Sequence, residues 1–169
     1  LAIVDISEAG HQPMRSPQGR FEIVWNGEIY NHLALRRVLE SEGAAPAWRG
    51  HSDTETLLAC FEEWGVVETV KQAVGMFAIA LWDRETRSLM LIRDRMGEKP
   101  LYYGWSKGVF LFGSELKALK AHPAFDEAIN RAALADLLRR HAVSGTASIY
   151  RAFSKVPPGS MVTVSNHAR

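Results

Sequence analysis

The sequence predicts an α+β fold of mainly antiparallel sheets covered by helices. Three patterns carry this: a helix-start signature at Ser52-Asp53-Thr54-Glu55, a change to strand periodicity from Met76 onward, and short polar turns between those strands where β-α-β alternation would need helices.

In chain order, the apolar Leu1-Ala2-Ile3-Val4-Asp5 reads as a buried strand already under way at the first residue. Residues 7–20 are polar and carry Gly10, Pro13, Pro17 and Gly19, the composition of a loop or wide connection. Phe21-Glu22-Ile23-Val24-Trp25 alternates as a strand does, and Asn26-Gly27, the strongest short hairpin signal, is expected to stop it in a turn. Asn31 precedes helical spacing at Leu35, Val38, Leu39 and Glu42, with Gly43 as the stop. Ser52 and Glu55 fit a capping box, in which each side chain satisfies a backbone N–H beside the other. Leu57, Cys60, Phe61 and Trp64 then form one apolar face, ended by Gly65.

Residues 76–82 and 89–93 form one expected hairpin, and 101–105 and 109–112 a second, turned at Ser106-Lys107-Gly108. A short helix is expected over 115–121. A second follows Asn130, with Leu134, Leu137, Leu138 and His141 at helical spacing. Pro157-Pro158-Gly159 makes a turn before a last strand at 161–164.

The 169 residues read as a single domain, 1–169, long enough to bury a core without crosslinks. One cysteine excludes an internal disulfide. Twenty Lys+Arg against 19 Asp+Glu leave a net charge of +1 and no basic stripe, which argues against a nucleic-acid partner. No apolar run approaches the roughly 18 residues of a membrane span. A cytoplasmic setting and a small-molecule partner are the expectation.

Asn26 and Gly27 are the first candidates for chemistry. An Asn side chain carries two N–H donors and a glycine amide can be approached closely, so the pair suits an oxyanion as well as it suits a turn. Asp53 suits a substrate ammonium, or simply the positive end of its helix, an effect of about 0.3–1 kcal/mol that needs no ligand. Cys60 lies on the apolar stripe, where a thiol is shielded and its pKa raised, so it is not expected to be a nucleophile. The six histidines show no zinc-ligand spacing. Arg93-Asp94-Arg95 with Glu98-Lys99 alternates in sign, the pattern of an ion-pair network around a loop.

Read in order, Leu1-Ala2-Ile3-Val4-Asp5, Gly10-His11-Gln12-Pro13-Met14, Asn26-Gly27-Glu28-Ile29-Tyr30-Asn31, Ser52-Asp53-Thr54-Glu55, Gly75-Met76-Phe77-Ala78-Ile79-Ala80-Leu81-Trp82-Asp83, Arg93-Asp94-Arg95-Met96-Gly97-Glu98-Lys99-Pro100-Leu101-Tyr102-Tyr103, Phe112-Gly113-Ser114-Glu115-Leu116-Lys117-Ala118-Leu119 and Pro157-Pro158-Gly159 resemble the glutamine amidotransferase domain of asparagine synthetases. That domain is a class II amidotransferase of the N-terminal-nucleophile hydrolase type. The resemblance implies an αββα four-layer sandwich that hydrolyses the side-chain amide of glutamine and releases ammonia for a C-terminal synthetase domain. It implies that Leu1, Ala2, Ile3 and Val4 line the glutamine pocket, that Asn26 and Gly27 form the oxyanion hole, and that Glu28 and Asp53 hold the substrate's polar end. No cofactor is expected in this domain; ATP and Mg belong to the synthetase domain, which amidates aspartate or a related carboxylate.

In the family the attacker is a cysteine at the mature N-terminus, whose α-amine, with a reference pKa of about 7.7–8.0, takes the thiol proton. Neither that cysteine nor the arginine that the family places before the leucine is in this sequence, and no S-G-G-x-D-S phosphate loop follows. The chain therefore reads as a fragment of a longer protein, inactive by itself. Met96 stands where the family usually has Phe. Other readings are a nucleophile-free domain that binds glutamine or scaffolds a partner, the amidotransferase of another amidating enzyme, and an N-terminal-nucleophile peptidase or acylase. The apolar helix faces fit a core or a homodimer interface equally well.

Overall fold

The computed structural model of the chain describes residues 4–165. The alternation that begins at Phe21 does not stop at Trp25. It runs on through Gly27 to Ile29, so strand β2 (Phe21–Ile29) carries Asn26-Gly27 in its interior. The reason lies on the neighbouring antiparallel strand β3 (Gly75–Asp83), where Phe77 sits opposite Gly27. A Cβ at Gly27 would run into the carbonyl oxygen of Met76 and lie 2.7 Å from the Cα of Phe77. This glycine serves a close backbone approach, not a hairpin turn.

With β1 (Met14–Arg15), β4 (Ser88–Arg93) and β8 (Met161–Ser165), these strands form a five-stranded antiparallel sheet in the order β1-β2-β3-β4-β8. A smaller sheet has the order β6-β5-β7, from β5 (Tyr102–Ser106), β6 (Val109–Gly113) and β7 (Phe153–Lys155). Both expected hairpins are present. Lys107 and Gly108 take positive φ at the second turn.

Helices α1 (His32–Ser41), α2 (Asp53–Trp64) and α3 (Val66–Gln72) cover one face of the large sheet. There Leu35, Leu39, Leu57, Leu58 and Phe61 pack on Ile23, Trp25, Ile79 and Leu81. Each such buried side chain contributes about 1.5–3 kcal/mol. The opposite face meets the small sheet, with Ala78, Ala80 and Leu91 against Tyr103 and Phe110. Beyond it, Leu116 and Leu119 of α4 (Leu116–Lys120) join Phe125 against Tyr102, Leu111 and Phe153. Three apolar layers thus separate helix, sheet, sheet and helix, the αββα sandwich that the resemblance implied.

Several local expectations change. Leu1, Ala2 and Ile3 lie outside the described residues, and Val4 and Asp5 belong to no strand. The Asp5 carboxylate accepts from the N–H and hydroxyl of Ser7, folding the chain into a short 3-10 helix, Glu8–Gly10. Asn31 precedes α1 but does not cap it with its side chain, because that amide bridges the Gln72 carbonyl and the Val74 N–H at the entry to β3. Asn130 does cap α5 (Arg131–Arg140), yet α5 buries only Ala133 and leaves Leu138 74% exposed, so its leucines are not core. Among the described residues no helix is long and apolar enough to cross a membrane.

Candidate functional site

In the β2–β3 ladder Tyr30 donates to the Val74 carbonyl at 2.8 Å and Arg84 to the Arg20 carbonyl at 3.0 Å. That register puts the even-numbered residues of β2 in the hydrogen-bonded pairs, so the peptide groups of Trp25, Gly27 and Ile29 face the other edge. Strand β1 covers that edge only at Glu22 and Ile23. Farther along, the Trp25 N–H donates to Gln12 Oε1 at 2.7 Å and the Ile29 N–H to Asp53 Oδ2 at 3.0 Å. Between them, the Gly27 N–H has no acceptor among the described residues. The half-buried side chains of Asn26 and Glu28 alternate with Gly27 and lie on the sheet face turned from the helices, again without a hydrogen-bond partner among the described residues.

Asp53 reaches this edge because α2 starts there. Ser52 Oγ accepts the Glu55 N–H at 3.1 Å, which fixes the first turn. The Trp25 indole N–H donates to Thr54 Oγ1 at 2.9 Å, docking that turn on β2. Asp53 is 5% exposed and accepts the N–H groups of Ile29 and Thr54, both at 3.0 Å. Burial pushes its carboxyl up, while the Ile29 N–H and the charge of nearby His32 pull the other way. Among the described residues no cation pairs with it.

The other half of the capping box is absent. Glu55 turns its carboxylate from Ser52 to the N–H groups of Arg49 and Gly50, at 2.8 and 3.1 Å, and lies 3.7 Å from the Arg36 guanidinium. Arg36, stacked over Trp48, also donates to the Gly50 carbonyl and to Thr56. The positive charge from α1 draws the acid toward the loop before α2. Asp5 fixes the same loop by accepting the His51 N–H at 2.9 Å. Val4, the described member of the implied pocket wall, directly precedes this clamp.

Nor do residues 93–99 form an ion-pair network. The Asp94 carboxylate collects the N–H groups of Phe77, Met96, Glu98 and Lys99 at 3.2, 3.1, 2.9 and 3.0 Å. Burial opposes its charge, but those donors prevail and hold the carboxyl below the ordinary range. Arg93 donates to the carbonyls of Lys99, Val156 and Gly97 at 2.7–2.8 Å. A loop without sheet partners needs such groups to satisfy its peptides, and the result anchors Phe77 opposite Gly27.

Cys60 is fully buried, and burial pushes its thiol up to about 12. Among the described residues no group of three or more His, Cys, Asp or Glu side chains could hold a metal ion.

The sandwich is of the N-terminal-nucleophile hydrolase type. It matches a glutamine phosphoribosylpyrophosphate amidotransferase from B. subtilis with a TM-score of 0.63, at 20% identity, covering 92% of this chain and 30% of that one. The allosteric regulatory enzyme of purine biosynthesis matches with a TM-score of 0.62, at 19% identity, covering 92% of this chain and 29% of that one. The chain belongs to the glutamine amidotransferase domain family, whose profile matches residues 1–169. It is 37% identical to asparagine synthetase [glutamine-hydrolyzing] 3 of Bacillus subtilis, over 98% of this chain and 27% of the relative. It is 44% identical to a putative asparagine synthetase [glutamine-hydrolyzing] of Mycobacterium bovis, over 70% of this chain and 18% of the relative. The chain thus spans about a quarter or less of these two curated relatives.

Proposed function

We propose that this domain hydrolyses the side-chain amide of glutamine and passes ammonia to a synthetase domain of a longer protein, which uses ATP and Mg to amidate aspartate or a related carboxylate. The observation that supports this best is the spacing along the open edge of β2, where the Gly27 N–H, unclaimed among the described residues, is followed two residues on, at Ile29, by the buried Asp53 carboxylate, which has no ion-pair partner among the described residues. Two strand residues span roughly 6.6–6.8 Å, the scale of an extended glutamine. Its carboxamide oxygen lies at Gly27 and its α-ammonium at Asp53, whose oxygens keep lone pairs beyond the two N–H bonds. The ammonium offsets the burial of that charge.

In this reading a cysteine thiolate supplied from before Leu1 forms a C–S bond to the carboxamide carbon, and the carbonyl electrons move to oxygen. The Gly27 N–H and the Asn26 side-chain N–H stabilise that oxyanion. The cysteine's α-amine, having taken the thiol proton, delivers it to the departing nitrogen, and ammonia leaves. Water then cleaves the thioester to glutamate and restores the thiol. Glu28 helps hold the substrate's polar end, and Val4 lines the pocket.

The test is Asn26→Ala in the full-length protein, with glutamine-dependent and ammonia-dependent synthesis measured side by side. The expected result is a loss of about 10²-fold or more in kcat with glutamine while synthesis from ammonia survives. Equal loss of both contradicts the assignment.

A further inference from the structure

We infer that Gln12 is a positioning residue for amide hydrolysis: its side-chain carbonyl ends the β1–β2 ladder at Trp25, so that the next outward N–H, that of Gly27, stays open among the described residues. This rests on the proposed glutaminase reading. Met14 pairs with Ile23 in β1–β2, so the next step of that register places residue 12 opposite Trp25. The backbone ladder nevertheless ends at Met14. The bond that a strand would have supplied comes from the Gln12 side chain, whose Oε1 lies 2.7 Å from the Trp25 nitrogen.

The consequence concerns the edge as a whole. A strand edge with a row of unpaired donors is a template for further pairing. Here Gln12 occupies the donor on one side of Gly27 and Asp53 the donor on the other. Among the described residues this stretch of the edge presents a single amide, held between two neighbours that cannot shift without losing a bond. Such preorganisation places a donor where negative charge develops, without rearrangement during the reaction.

The test uses Gln12→Met, which keeps the length of the side chain and removes the acceptor, and Gln12→Glu, which keeps an acceptor at the same reach, both in the full-length protein. Amide hydrogen exchange should accelerate at Trp25 in Gln12→Met and return to the wild-type rate in Gln12→Glu, with Tm little changed. In Gln12→Met, kcat with glutamine should fall about 10-fold at nearly constant KM, because the loss is one of alignment. Synthesis from ammonia should be unchanged. An unaltered kcat, or a rise in KM alone, overturns the inference, as does an equal fall in both activities. If wild-type protein hydrolyses glutamine and Asn26→Ala does not, while Gln12→Met behaves as wild type, the positioning role fails and the glutaminase reading stands. If wild-type protein lacks glutaminase activity, the functional reading itself fails.

Discussion

Asp53 holds the backbone N–H of Ile29 at 3.0 Å, so one buried carboxylate ties the start of α2 to the end of β2. The group proposed to take the substrate's ammonium therefore also sets its own distance from Gly27. Recognition and scaffold share an atom pair.

Asp53→Asn keeps the size of the side chain and one acceptor oxygen but removes the charge. An ammonium bound to it should lose a charge-assisted bond of about 1.5–3 kcal/mol, which raises KM for glutamine about 10-fold or more. Steady-state kinetics of the full-length protein check this; an unchanged KM removes Asp53 from the pocket.

Cys60→Ser places a hydroxyl in an apolar layer among α1, α2 and β2. A loss of stability of about 1–3 kcal/mol is expected in denaturant titration, from the uncompensated burial of a polar group. Turnover with glutamine should not change, because a thiol with a pKa near 12 carries almost no thiolate at neutral pH. Selective loss of glutaminase turnover would assign Cys60 a chemical role.

Asp5 and Asp94 predict an acid limb. The Ser7 hydroxyl, then the His51 N–H, hold the Asp5 carboxyl at about 2, and backbone donors hold Asp94 below its ordinary value. Each is depressed relative to an unfolded carboxyl near about 3.9, so its stabilisation is complete above that pH and disappears as the pH falls through the folded value. Unfolding midpoints should be flat with respect to these two groups above about pH 5 and drop below about pH 4. Asp94→Ala should remove part of that acid dependence and, by orphaning three loop N–H groups and that of Phe77 in β3, lower stability by about 2–4 kcal/mol at neutral pH.

Much of the fold is legible in the sequence where pattern and packing agree. In α2 the Ser52 cap and the terminating Gly65 act as read, while burial takes in all of residues 53–61 and so extends beyond the one apolar face. The hairpins follow their turns. Asn26-Gly27 misleads as local chemistry because the same pair that favours a turn also tolerates a close antiparallel neighbour; only the path of Met76 and Phe77 decides between them. β1 is two residues and β7 three, too short for alternation to register, and the valines of α3 are β-branched residues that mark helices poorly. At the site, the closeness of Asp53 to the Asn26-Gly27-Glu28 stretch follows from the resemblance. The Gln12 contact spans 13 residues through a side chain and leaves no periodic trace. Glu55 reads as half of a cap because the sequence does not show that Arg36 arrives from another helix.

Arg93 and Asp94 are adjacent and opposite in charge, yet each is bonded to peptide groups and not to the other. Direction and reach, not Coulombic balance, hold this loop in shape. Added electrolyte, which weakens exposed ion pairs through Debye screening, finds little here to weaken, and exchanging the two residues would preserve the sum of charges while losing the bonds their side chains make.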